Sequence, residues 1–136
     1  MNVFESIKEK LGAMGQWQMR GGAEWLDPAP AGVRAVAAAM NEVGARFITI
    51  TAYELEKGAG FRLEYHWDLQ GTLLGFAFEI ADAAMPSIYD LCPAVDWIER
   101  EAHEGFGIRF EGHPYLPLLL RPEAEAGVNL REEAVR

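Results

Sequence analysis

Three consecutive strand-like stretches, two alternating and one mixed, are joined by short turns and most strongly restrict the folds open to this chain. They span residues 46–56, 61–69 and 72–80 and are rich in β-branched and aromatic side chains. A period of two is typical of a strand with one buried face. The connecting sequences Lys-Gly-Ala-Gly and Gln-Gly favour tight turns. The pattern therefore predicts a three-stranded antiparallel meander.

The middle stretch separates its side chains by face. The apolar face carries Phe61, Leu63, Tyr65 and Trp67, and the polar face carries Arg62, Glu64, His66 and Asp68. A strand of this kind buries one side, so we expect the polar side to meet solvent or a partner. A homodimeric binding module that uses this exposed face is one possible function.

Two segments before the meander have the spacing of amphipathic helices. Apolar residues recur every three to four positions over residues 2–14, and Gly15 is placed to end that helix. The alanine-rich run over residues 30–43 starts with proline and is followed by Gly44. Between the two helices, residues 23–26 predict a short strand.

A third, shorter helix is expected after the meander, with two possible starts. Asp96 with Glu99 three residues later resembles a capping box, whereas Pro93 could mark the first turn instead. Gly105 and Gly107 are placed to end this helix. The following Ile-Arg-Phe-Glu-Gly predicts a brief strand or edge segment.

These elements together predict an α+β fold: a two-layer sandwich with helices on one face of a mostly antiparallel sheet. The chain has 136 residues, half of them hydrophobic, which is enough for one packed core. We expect a single domain over residues 1–122 and a loose acidic tail over residues 123–136.

The charge and cysteine content exclude several classes of function. The net charge of −9 disfavours binding to nucleic acid or to anionic membrane surfaces. The single cysteine, Cys92, excludes an internal disulfide and a cysteine-based metal cluster, and it fits a reduced cytoplasmic compartment. No stretch has the length and apolarity of a membrane span or a secretion signal.

Histidines near carboxylates raise the question of a metal or acid–base site. His103 lies four residues after Glu99, and His113 follows in the next loop. His66 could exchange a proton with a glutamate. The carboxylates have arginines as competing partners, so we predict no catalytic, cofactor or metal site. A stand-alone small enzyme that uses His/Glu acid–base or metal chemistry is the alternative.

An ordered set of residues between positions 86 and 120 carries a family resemblance. The matching positions are Pro86, Ser87, Asp90, Pro93, Trp97, Glu99, Arg100, Glu101, Glu104, Phe106, Gly107, Ile108, Phe110, Gly112, His113, Pro114, Leu119 and Leu120. This segment resembles the signature of the 30 kDa subunit family of respiratory complex I. The family includes the C-type subunit of bacterial NADH-quinone oxidoreductase and related subunits of membrane-bound energy-converting hydrogenases.

The resemblance implies a non-catalytic, cofactor-free assembly subunit of a complex I-like NADH-quinone oxidoreductase or of an energy-converting hydrogenase. Its implied partners are the large catalytic subunit, either 49 kDa-like or the nickel–iron hydrogenase large subunit, and the iron–sulfur subunit. The implied location is cytoplasmic, on the inner face of the cell membrane, with membrane contact only through the complex.

The same segment supplies the expected docking residues. Charged contacts are expected from Glu99, Arg100, Glu101 and Glu104, and apolar anchoring from Phe106, Phe110 and residues 116–120. The loop is expected to be shaped by Gly107, Gly112 and Pro114, and His113 belongs to the same docking set.

Overall fold

The structure, a computed structural model, describes residues 2–56 and 58–116. Within these residues the chain forms three α-helices: α1 (Val3–Leu11), α2 (Val33–Glu42) and α3 (Asp96–Phe106). The strands of the same residues are β1 (Gln18–Arg20), β2 (Ala23–Leu26), β3 (Arg46–Glu54), β4 (Phe61–Leu69), β5 (Thr72–Ile80), β6 (Ala84–Pro86) and β7 (Arg109–Glu111).

Five strands form the main sheet in the order β1-β2-β5-β4-β3. Strands β3, β4 and β5 pair antiparallel, which confirms the predicted meander, and β1 pairs antiparallel with β2. Strand β2 joins β5 in parallel, so the sheet is mixed. Strands β6 and β7 form a separate two-stranded parallel sheet. The predicted α+β sandwich is confirmed.

The inner face of the sheet forms the core. Trp67 on β4 lies opposite Leu74 on β5, and Tyr65 lies opposite Phe76. All four side chains are at most 1% exposed. The predicted separation of β4 into a buried apolar face and a partly exposed polar face is therefore confirmed.

The helices cover this inner face because each presents an apolar side to it. Helix α1 begins with the Asn2–Glu5 capping box and buries Ile7 and Leu11 in the core. Helix α2 follows a 3₁₀ turn at Pro30–Gly32 and buries Val36 and Met40 in the same cluster.

Three details differ from the sequence-based expectations. Strands β1 and β6 were not predicted because three-residue strands leave too short a pattern. Gly105 does not end α3 but lies buried within it, and the left-handed residue that ends the helix is Gly107. A 3₁₀ turn at Gly12–Met14 completes the first predicted helix.

Some expectations concern residues that the structure does not describe. The predicted domain boundary at residue 122, the acidic segment 123–136 and residues 117–120 lie outside the described residues. Among the helices that are described, none has the length and apolarity needed to cross a membrane.

Candidate docking site

Helix α3 has one side against the core and the other toward the surface. The inward side buries Glu99, Ala102, Gly105 and Phe106. The outward side carries Trp97, Arg100, Glu101 and Glu104, whose spacing places them on one helix face. The predicted docking residues of this helix are therefore divided between two opposite sides.

Glu99 is completely buried, with no exposed surface. Its Oε1 accepts a hydrogen bond from the Ser87 hydroxyl at 2.6 Å, and its Oε2 accepts one from the Ile88 backbone N–H at 3.0 Å. Burial raises the pKa of Glu99 to about 7, although both hydrogen bonds oppose this rise. Glu99 therefore fastens α3 to the loop after β6.

This environment corrects two expectations for Glu99. The capping-box interpretation with Asp96 is wrong, because the N-cap of α3 is Val95 and no side chain caps it. Pro93 instead begins a 3₁₀ turn that leads into the helix. The carboxyl group is turned inward, where it satisfies buried donors, so Glu99 is not available for direct contact with a partner.

His113 is also buried and ties the end of the described chain to the start of α3. Its Nδ1 accepts a hydrogen bond from the Tyr115 backbone N–H at 3.0 Å, so the proton of the neutral ring is on Nε2. Nε2 lies 2.9 Å from Asp96 Oδ1, a close electrostatic contact that is not aligned as a hydrogen bond. The Tyr89 ring lies 4.9 Å from the imidazole, centroid to centroid. His113 thus holds the loop in place.

Two glycines determine the path of the chain after α3. Gly107 ends the helix with φ 76°, and its N–H donates to the His103 carbonyl at 2.7 Å. Gly112 has φ 95° directly after β7. L side chains rarely adopt such values, so the loop depends on glycine at both positions. The exposed Pro114 follows this turn.

Phe106 and Phe110 both belong to the core cluster. Phe106 is 9% exposed, with its ring 5.7 Å from that of Phe61, and Phe110 is 1% exposed beside Met85 in the β6–β7 pair. Both rings therefore pack mainly inside the domain, and their expected role as partner anchors stays a prediction. Leu116 also packs against the core.

Within the predicted set, Glu101, Gly112 and Pro114 are exposed, and Arg100, Glu104 and Gly107 are half-buried. Arg100 lies 3.8 Å from the Asp96 carboxylate, whereas Glu101 and Glu104 make no ion pair within residues 2–56 and 58–116. Two aromatic residues extend this surface: Trp97 is 55% exposed and Tyr115 is 64% exposed. Sequence reasoning did not assign them to docking.

The histidines occupy three separate environments. His66 lies edge-on to Trp25 on the outer face of the sheet, with ring centroids 5.0 Å apart, and burial lowers the pKa of His66. His103 Nδ1 lies 3.0 Å from the Ile108 carbonyl oxygen. In the part of the chain that the structure describes, no three His, Cys, Asp or Glu side chains are grouped to hold a metal ion.

The polar face of the meander carries its own ion-pair network. Arg62 donates from Nε to Glu64 at 2.8 Å and from a terminal nitrogen to Glu79 at 3.0 Å. The Tyr53 hydroxyl donates to Glu64 at 3.2 Å. These charged and polar groups already pair with one another within the chain. A homodimer through this face would therefore have to leave these pairs in place or break them.

Two solved structures share the fold of this chain. A chain of the membrane-bound sulfane sulfur reductase, described as an archaeal respiratory membrane complex, matches with TM-score 0.76 and 26% identity over 90% of this chain and 77% of that one. A trypsin-resistant fragment of Nqo5 shares the fold, with TM-score 0.71 and 21% identity over 85% of this chain and all of the fragment.

The sequence family is shown by a match that covers most of the chain. The protein-family model described as respiratory-chain NADH dehydrogenase, 30 Kd subunit, matches residues 26–135. The chain therefore belongs to this family. The resemblance inferred from residues 86–120 is thereby confirmed.

Individual relatives match over shorter regions. A NADH-quinone oxidoreductase subunit of the C/D type from Methylococcus capsulatus is 47% identical over 60 residues, 44% of this chain and 10% of that protein. A NAD(P)H-quinone oxidoreductase subunit of the J type from Prochlorococcus marinus strain MIT 9211 is 36% identical over 83 residues, 61% of this chain and 41% of that protein. The chain therefore spans less than half the length of these relatives.

Proposed function

We propose that this chain is a non-catalytic assembly subunit of a complex I-like NADH-quinone oxidoreductase or of a related membrane complex such as an energy-converting hydrogenase. It carries no cofactor of its own and docks on the large catalytic subunit, with the iron–sulfur subunit of the same complex as a second partner. The protein is peripheral on the inner face of the cell membrane and contacts the membrane only through the complex.

The two-sided character of α3 carries this proposal. Glu99 fastens the inner side to the loop after β6, and the Asp96–His113 contact holds the start of the helix. The outer side presents Trp97 next to Glu101 and Glu104, which have no ion-pair partner among the described residues. A rigidly held helix that exposes an aromatic residue beside charges has the composition of an interface.

Co-purification with the large subunit of the same complex tests the docking. The double variant Glu101→Lys/Glu104→Lys reverses both negative charges of the outward face and should reduce the recovered large subunit. Glu9→Lys/Glu56→Lys is the matched control, because it makes the same charge change at exposed positions outside α3. Equal recovery with both double variants would contradict docking through α3.

A further inference from the structure

An open cleft separates α3 from β3, the strand at one edge of the main sheet. Its apolar walls are Ile50 and Ala52 on β3 and Ile98, Ala102 and Phe106 on α3. Its volume is about 220 Å³. Sites for whole small ligands have volumes of roughly 300–1,000 Å³, so this cleft suits a single large side chain better than a cofactor.

The position of the cleft connects it with the outward side of α3. Glu101, which belongs to the proposed docking face, also lines the cleft and is the one charged residue among the described residues that line it. Its side chain is exposed and makes no ion pair within the described residues. An apolar side chain that enters the cleft would therefore lie beside a carboxylate that has no ion-pair partner among the described residues, and a neighbouring cation would complement it.

We propose that this cleft receives one large apolar side chain of the large subunit, next to a lysine or arginine that pairs with Glu101. This inference rests on the docking function proposed above and identifies the chemistry of the contact. The apolar side chain would be the central anchor, since buried contacts in well-packed pockets dominate binding free energy. The ion pair at the rim would mainly set orientation and association rate.

Titration of the purified large subunit with the full chain tests the contact. Ala52→Leu fills the cleft from β3, and we expect it to weaken binding at least about tenfold. Glu101→Lys should weaken binding and reduce its dependence on salt between about 50 and 300 mM NaCl. Ala38→Leu and Glu9→Lys are the matched controls, because they make the same changes at exposed positions on α2 and α1 and should bind as wild type.

Methyl NMR of the wild-type chain gives a readout that does not depend on the stability of a variant. The methyl resonances of Ile50 and Ile98 should shift when the large subunit is added. If wild type binds but Ala52→Leu binds as tightly as Ala38→Leu, or the two resonances stay unchanged, the cleft proposal is overturned and docking elsewhere on the chain stands. If wild type does not bind at all, the docking function fails and the cleft proposal fails with it.

Two further experiments would detect a different occupant of the cleft, either a second copy of the chain or the chain's own C-terminal segment. A dimer of the isolated chain that Ala52→Leu converts to a monomer would assign the cleft to a second copy. A shift of the Ile98 resonance in isolated Leu119→Asp would assign it to the chain's own C-terminal segment. Either result would overturn the proposal.

Discussion

The stability of this protein should decrease as the pH rises from acidic to neutral, because of Glu99. The side chain has no exposed surface, and burial raises its pKa from 4.5 to about 7. The folded state therefore binds the proton more tightly than the unfolded state. The stabilisation is fully present below pH 4.5, decreases above it, and is lost once the pH passes 7.

The size of the effect follows from the two pKa values. A change from 4.5 to about 7 corresponds to about 3 kcal/mol in the free energy of unfolding. Asp96 and Asp90 contribute to the rise, so it reflects the surrounding carboxylates as well as burial. Such a loss is a large part of the total stability of a domain this size.

The variant Glu99→Gln isolates this contribution from other titrating groups. Its amide oxygen can accept from the Ile88 N–H and its amide nitrogen can donate to Ser87, but the side chain does not titrate. Urea unfolding at several pH values between about 4 and 8 should show wild type losing about 3 kcal/mol relative to Glu99→Gln as pH increases. Glu101→Gln, at an exposed position of the same helix, is the control and should follow wild type.

Parallel pH profiles for wild type and Glu99→Gln would refute the reasoning. They would mean that the carboxylate is ionised in the folded state without cost, as it would be if water reached Glu99. A pH dependence that Glu101→Gln also removed would assign the effect to surface charge.

Three further substitutions test the division of the α3–β7 segment into buried and exposed residues. Phe110→Ala should lower the free energy of unfolding, measured in urea, by about 3–5 kcal/mol, because it leaves a cavity in the core. A loss as small as that of a surface substitution would contradict the burial of Phe110. Trp97→Ala should change the free energy of unfolding by no more than about 0.5 kcal/mol yet weaken binding to the large subunit. A large loss of stability with unchanged binding would show that Trp97 stabilises the fold and does not contact the partner. Gly107→Ala should cost about 1–2 kcal/mol because φ is 76°, whereas Gly12→Ala, where φ is −64°, should not be destabilising for this reason.

The sequence was most informative where local chemistry alone decides the structure. Strand β4 was predicted with its observed bounds because its two-residue period lies between tight turns, and β5 because a run of β-branched and aromatic residues follows the Gln-Gly turn. Strand β2 was predicted because Gly21 and Gly22 precede it and Asp27-Pro28 follows it. Its parallel pairing with β5 could not be predicted, because it depends on how α2 and the meander pack.

The sequence was least informative about which side chains of the signature segment face outward. Glu99 was expected to contact a partner with the other charged residues of the segment, but Ser87 and Ile88 provide donors that only the folded loop brings to it. Phe106 and Phe110 resembled interface anchors, and their burial depends on Phe61 and β6, which are distant in sequence. The family resemblance located the segment, and only the fold distinguishes its two sides.

The parallel pairing of β2 with β5 also affects the order in which the strands can pair during synthesis. The meander pairs neighbours in the chain and can form as soon as it leaves the ribosome. Strand β2 is synthesised earlier, but Glu24 pairs opposite Leu74, so it must wait until β5 has emerged. The first hairpin therefore joins the sheet late, and slow elongation through residues 72–80 would prolong the time that Leu26 spends exposed to aggregation.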